Sequence, residues 1–159
     1  MNLLPVFERL EATAVGNAIR DSSWLFPVIE SVHLLALAVI GGAVLLVDLR
    51  LLGLGLCDQP IRRLARDAQP WLIGSLLMMI ATGVPLFLSE SVKCYYNTAF
   101  WVKITMLPIA ILFTFSIRRR VEMADEARFR PYVNVLVGLT SLTLWFGVAA
   151  AGRWIGFSG

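Results

Sequence analysis

The chain has 159 residues, of which 58% are hydrophobic and 16% charged, with mean hydropathy +0.75 and net charge +3. A soluble domain is usually about a quarter charged, so this balance excludes an ordinary soluble fold and places the chain in a membrane, with length for about four spanning helices rather than a large two-repeat transporter. One histidine and two cysteines exclude zinc fingers, multi-thiolate clusters and a bis-histidine haem within one chain.

In residues 1–23, Leu3, Phe7, Leu10, Ala14 and Ile19 recur at roughly helical spacing, with Glu8, Arg9, Glu11, Arg20 and Asp21 between them. No cationic start leads into an apolar core, so this is not a secretory signal. The segment predicts an amphipathic helix, lying in the interface or packed on the mouth of the bundle. Asp21-Ser22-Ser23 then offers capping oxygens to a first span, Trp24 to Leu56, which Gly53 and Gly55 are suited to end. At 1.5 Å per residue it is about 50 Å long and must tilt or project. Residues 57–69 read as a polar loop. Pro70–Ser89 is the second span, with Gly83 and Pro85 marking a kink. A short loop to Thr98 precedes the third, Ala99–Ile117. Residues 118–131 form an arginine-rich loop, and residues 132–151 the fourth span, followed by a tail. The expectation is a single all-α membrane domain over 1–159, a four-helix bundle with an N-terminal amphipathic helix.

Of the fourteen Lys and Arg, nine fall on one side: Arg50, Arg62, Arg63, Arg66, Arg118, Arg119, Arg120, Arg128 and Arg130. The positive-inside rule then puts both termini outside, as in a bacterial inner-membrane protein. Trp24, Tyr95, Tyr96, Trp101 and Trp154 fall near the outer ends as an aromatic belt; Trp71 and Trp145 do not. The basic runs match anionic lipid, not nucleic acid.

The block Trp24-Leu-Phe-Pro-Val-Ile-Glu30-Ser-Val-His33-Leu-Leu, then Gly41-Gly42, then Asp48-Leu-Arg50-Leu-Leu-Gly53, with the ending Gly152-Arg153-Trp154-Ile155-Gly156-Phe157, resembles a family of small bacterial membrane proteins of unknown function. That likeness implies no activity. More loosely, a four-helix bundle with a histidine early in a helix is similar to the copper-resistance CopD and cytochrome b561 type of domain, which uses several histidines where this chain has one.

Ionisable side chains inside spans are expensive, and each is a candidate for function. Four stand out: Glu30, His33, Asp48 and Lys103. Glu30 and Asp48 lie 18 residues apart, five whole turns and about 27 Å, on one helix face. Leu37, Gly41 and Val44 fill the stripe between them, which should face other helices, while Arg50 snorkels to the inner headgroups. Glu30 and His33 are an i, i+3 pair, whose plainest role is structural. His33 lies roughly 13 Å deep, and Met106 at a comparable depth could complete a His/Met pair for haem b, with Lys103, Arg20 and Arg153 for the propionates. Met78 and Met79 lie deeper, and the same thioethers with His33 suit copper. Lys103 could instead pair with Glu30 or snorkel.

Two readings follow. One is a redox or metal-binding module, its outer-facing site built from His33, Glu30, Met106, Lys103 and Arg153 around haem b or copper. The other is a non-catalytic accessory subunit, without a cofactor, packed against a protein partner or its own copies. Proton or solute movement along the Glu30–Asp48 face ranks below both, because the stretch through Leu37, Gly41 and Val44 carries no polar side chain. No phosphate loop, His-Glu-x-x-His or Cys-x-x-Cys is present, and whether the chain is an enzyme is left open.

Overall fold

The structure is a computed structural model that describes residues 3–124 and 131–157. Its elements are helices, with no strand among the described residues: α1 (Leu4–Glu11), α2 (Ala14–Asp21), α3 (Leu25–Leu51), α4 (Ile61–Ser89), α5 (Ser91–Tyr96), α6 (Thr98–Phe113), α7 (Arg119–Met123) and α8 (Pro131–Phe157). A π-turn, Thr114–Arg118, joins α6 to α7 without a break. Four helices are long and apolar enough to cross a membrane: α3, α4, the run Thr98–Met123, and α8. The expected all-α four-helix bundle is the fold found.

The core is apolar and drawn from all four. Ala36, Ile40 and Val44 of α3 meet Leu72 and Met79 of α4, Ala110 of α6, and Trp145 and Val148 of α8. Below this layer Val47 and Leu51 pack with Ile61, Ala65, Val121 and Val137. The buried stripe of α3 therefore runs Ala36–Ile40–Val44–Val47–Asp48–Leu51. Gly41, expected on that stripe, is exposed, with nothing within 4 Å of where its side chain would start. The bundle tightens on β-branched side chains here, not on a glycine contact.

The ends of the helices depart from the hydropathy reading. α3 stops at Leu51, short of Leu56, and does so in a Schellman turn. Gly53 adopts φ +71°, its N–H donates to Arg50 O (3.1 Å), and Leu54 N–H donates to Leu49 O (3.0 Å). Only a left-handed residue closes that turn cheaply, which is why a glycine sits there. At the other end, the Ser22 hydroxyl accepts from Leu25 N–H at 3.4 Å, so part of the expected capping is made. α4 begins at Ile61, and most of the expected 57–69 loop is helix. Its first turns carry Arg62, Arg63, Arg66 and Asp67 outward while Ile61 and Ala65 face the core. The expected tail 152–157 is the last turn and a half of α8. Arg118 to Met123 is helical too, and residues 125–130 of the expected arginine loop lie outside the described residues.

The N-terminal segment is two helices, not one. Thr13 breaks them and caps α2, its hydroxyl accepting from Gly16 N–H at 3.3 Å. Both pack on the mouth of the bundle. Phe7 inserts among Phe87, Tyr95, Phe100 and Trp101, with ring centroids 5.2–6.4 Å away. Glu11 accepts from Val92 N–H at 2.6 Å and pairs with Arg20 at 3.3 Å, and Arg20 donates to Ser89 O at 3.1 Å. These contacts latch α1 and α2 to the α4–α5 corner.

Candidate functional site: two polar layers across an apolar core

The ionisable side chains turned into the bundle gather in two layers, with Ile40 and Val44, each 1% exposed, between them.

The first layer is built on His33, one turn before Ala36 on the buried stripe of α3. It turns toward α4 rather than toward lipid. Its Nδ1 lies 2.8 Å from the Thr82 hydroxyl, and its ring lies over Gly83, where an added Cβ would come within 3.3 Å of Cε1. The Thr82 hydroxyl lies 2.7 Å from Met78 O and donates its proton there. The Met79 carbonyl is also in reach of the ring. With the Thr82 proton on Met78 O, the Nδ1–H tautomer satisfies both groups and would leave a lone pair on Nε2.

The other expected members of this site have separate engagements. Met106 packs on α8, where a Cβ on Gly147 would lie 2.5 Å from its Cε and 3.1 Å from its Sδ. Lys103 lies on Gly152, its Nζ 3.2 Å from the position of a Cβ there, and its charge is felt at both His33 and Cys94. Arg153 stacks on Phe157, 4.3 Å from the ring centre, and Arg20 is held by Glu11 and Ser89. Glu30 is half-buried; no hydrogen bond or ion pair joins it to His33 or Lys103 among the described residues. One imidazole with a free Nε2 suits a single ligand to haem or copper, whereas the methionine of a His/Met pair is seated on another helix. Among the described residues no three His, Cys, Asp or Glu side chains group as a metal site.

The second layer lies near the other end of the bundle, and sequence reasoning found only Asp48 of it. Asp48 is 0% exposed, and Arg118 1%. Arg118 Nε lies 3.0 Å from Asp48 Oδ1 and 2.9 Å from Glu122 Oε1, and its Nη2 donates to Val44 O at 3.4 Å. Ser141 of α8, also 0% exposed, sets its hydroxyl beside the Asp48 carboxyl. Next to the triad, Trp145 Nε1 donates to the Thr114 hydroxyl at 3.0 Å. Trp145 is thus a core residue tying α8 to the π-turn, which accounts for its place away from the aromatic belt. Arg50, expected at the inner headgroups, closes the α3–α4 corner, its Nε donating to Gln59 O at 2.7 Å.

The π-turn is what assembles this layer. Ala110, Thr114, Arg118 and Glu122 are all buried at four-residue spacing. In a plain α-helix twelve residues carry a side chain about 120° around the axis. A π-turn fits more residues per turn and takes up much of that drift. The run Arg118-Arg119-Arg120 reads in sequence as a cytoplasmic loop, whereas Arg118 is buried in the bundle. A signal was available: a carboxylate as deep as Asp48 needs a cation, and Arg118 is the first charge after the third apolar run.

The chain belongs to DUF6644, a family of unknown function, which matches residues 7–158. The family's extent covers both polar layers and nearly the whole bundle. No curated protein matches the chain, and no solved structure does.

Proposed function

We propose that the protein is a non-catalytic helical subunit of a bacterial inner membrane, an accessory component that works by packing against a protein partner or its own copies. One observation carries this reading: a set of side chains with chemistry to offer is engaged by neighbouring helices. His33 meets Thr82, Asp48 and Glu122 meet Arg118, and Lys103 and Met106 sit on glycines of α8. Such contacts hold helix register. What the bundle presents outward is apolar, with Leu35, Trp71, Leu112 and Phe146 among the most exposed side chains. The arginine excess at the Arg50, Arg62 and Arg119 end supports a cytoplasmic location for that end and an outer location for both termini. Native mass spectrometry of the protein extracted with its surrounding lipid tests the reading. A defined complex or oligomer is expected; a lone monomer in every preparation overturns it.

A second reading, a redox module, rests on His33 alone. A histidine that donates through Nδ1 and keeps Nε2 bare is poised as a metal ligand. Haem b or copper would attach there, with Lys103 the nearby cation for a propionate. A Soret band or bound copper that vanishes in His33→Ala supports it, and a colourless, metal-free pure protein removes it.

A further inference from the structure

We propose that the groove between α3 and α4, toward the arginine-rich end, binds a second copy of this chain, in a two-fold dimer that seats Trp71 of each copy in the groove of the other. The proposal rests on the reading of the protein as a packing subunit and names its partner.

The groove holds about 390 Å3, and its lining includes Ala38, Gly42 and Leu46 of α3 with Asp67 and Trp71 of α4. Gly41 and Gly42 are exposed, with nothing within 4 Å of where a side chain would start, and both take ordinary helical φ. Nothing inside the chain needs a glycine there, and glycine weakens a helix interior relative to alanine. In lipid, small residues matter where another helix comes close, because they let the backbones approach. Trp71 stands at the edge of this groove and is 66% exposed. An engineered cavity of about 150 Å3 takes a benzene. The groove is therefore large enough for an indole delivered from outside.

A second copy fits better than an unrelated helix or a lipid, because hole, knob and both signs of charge lie on one patch. A two-fold axis along the membrane normal preserves depth, and its interface must be self-complementary. Trp71 borders the groove whose counterpart it fills, so the depths agree. Asp67 lies one turn from Trp71 toward the arginine-rich end, and Arg63 one turn beyond it on the same side of α4. Both are exposed, and no ion pair holds either of them among the described residues. In the dimer Asp67 of one copy pairs with Arg63 of the other. An acyl chain in the groove would leave Asp67 unanswered.

Energy transfer between full-length copies dye-labelled at the exposed Cys57, in vesicles diluted stepwise with lipid, tests this, with native mass spectrometry for the stoichiometry. A dimer is expected. Gly42→Leu fills the groove without meeting its own chain, and Trp71→Ala removes the knob; each should raise the dissociation constant about tenfold or more. Gly156→Leu, at an exposed glycine outside the groove with the same open space around it, should leave the constant unchanged. Asp67→Lys and Arg63→Asp should each weaken the dimer, and a mixture of the two variants should restore it, since only then does every acid face a base across the axis. A dimer that Gly42→Leu or Trp71→Ala leaves intact overturns the proposal, as does a mixture no tighter than its components. A complex with a different protein and no dimer overturns it while the packing-subunit reading stands. Lone monomers in every preparation overturn both.

Discussion

Gly16 and Gly147 both stand where a side chain would collide, but against different things. A Cβ on Gly16 would lie 2.6 Å from Leu88 O and 2.7 Å from Glu11 O, both backbone. A Cβ on Gly147 would meet the end of Met106. Backbone cannot step aside without moving a helix, whereas a thioether can change rotamer. Gly16→Ala should therefore lower stability by about 1–3 kcal/mol, the usual range for overpacking, and Gly147→Ala by less. Thermal unfolding of the two variants in one detergent checks the order. Equal losses would mean that Met106 is as immobile as the α4 backbone. Such seats were not legible in the sequence, because spacing does not say which side chain will face a glycine. The sequence points to His33 as an inward-turned residue and to Glu30 on the same helix as its neighbour, whereas its partner is Thr82, one helix away.

At the scale of elements, hydropathy marks where a chain enters lipid, not where a helix starts. The apolar run of α4 begins near Pro70, yet Ile61 and Ala65 already face the core, and the helix carries Arg62, Arg63 and Arg66 beyond that run. The same confusion hid the triad, since Arg118 looked like the end of a span. Burial of an arginine depends on a partner elsewhere in the chain, and the π-turn that aims it has no sequence signature of its own. The α1–α2 latch makes a further prediction. Glu11 ties both Arg20 and Val92 N–H. Hydrogen bonds to charged groups contribute about 1.5–3 kcal/mol, so Glu11→Ala should release the latch and leave the spans intact. Limited proteolysis should then cut near Thr13 many times faster, with the circular dichroism of the bundle almost unchanged. Cutting at the native rate would mean that the Phe7 ring cluster holds the latch alone.

For the whole molecule, the number of crossings sets where the two cysteines appear. Cys57 lies between α3 and α4, and Cys94 between α4 and α6, so they belong to opposite faces of the membrane. Cys57 is exposed and Cys94 buried. Burial, with Glu90 adding to it, pushes the Cys94 thiol from 9.0 up to about 11. A membrane-impermeant maleimide should label Cys57 from one side only and Cys94 from neither at pH 8, because the thiolate is the reactive form. With the arginine-rich end inside, inverted vesicles should be labelled and intact spheroplasts should not; the reverse pattern would turn the chain over. The sign of the alkaline effect is fixed as well. A thiol whose folded value is raised stabilises the fold fully below about pH 9, and that contribution fades as pH climbs through about 11. Unfolding midpoints measured between pH 8 and 11 should fall in the native chain more steeply than in Cys94→Ala.

The apolar band formed by Ile40, Val44 and their neighbours sets the spacing of what lies on either side. β-branched side chains hold one rotamer in a helix, so a layer built on them keeps the four helices in one register and the two polar layers at a fixed separation.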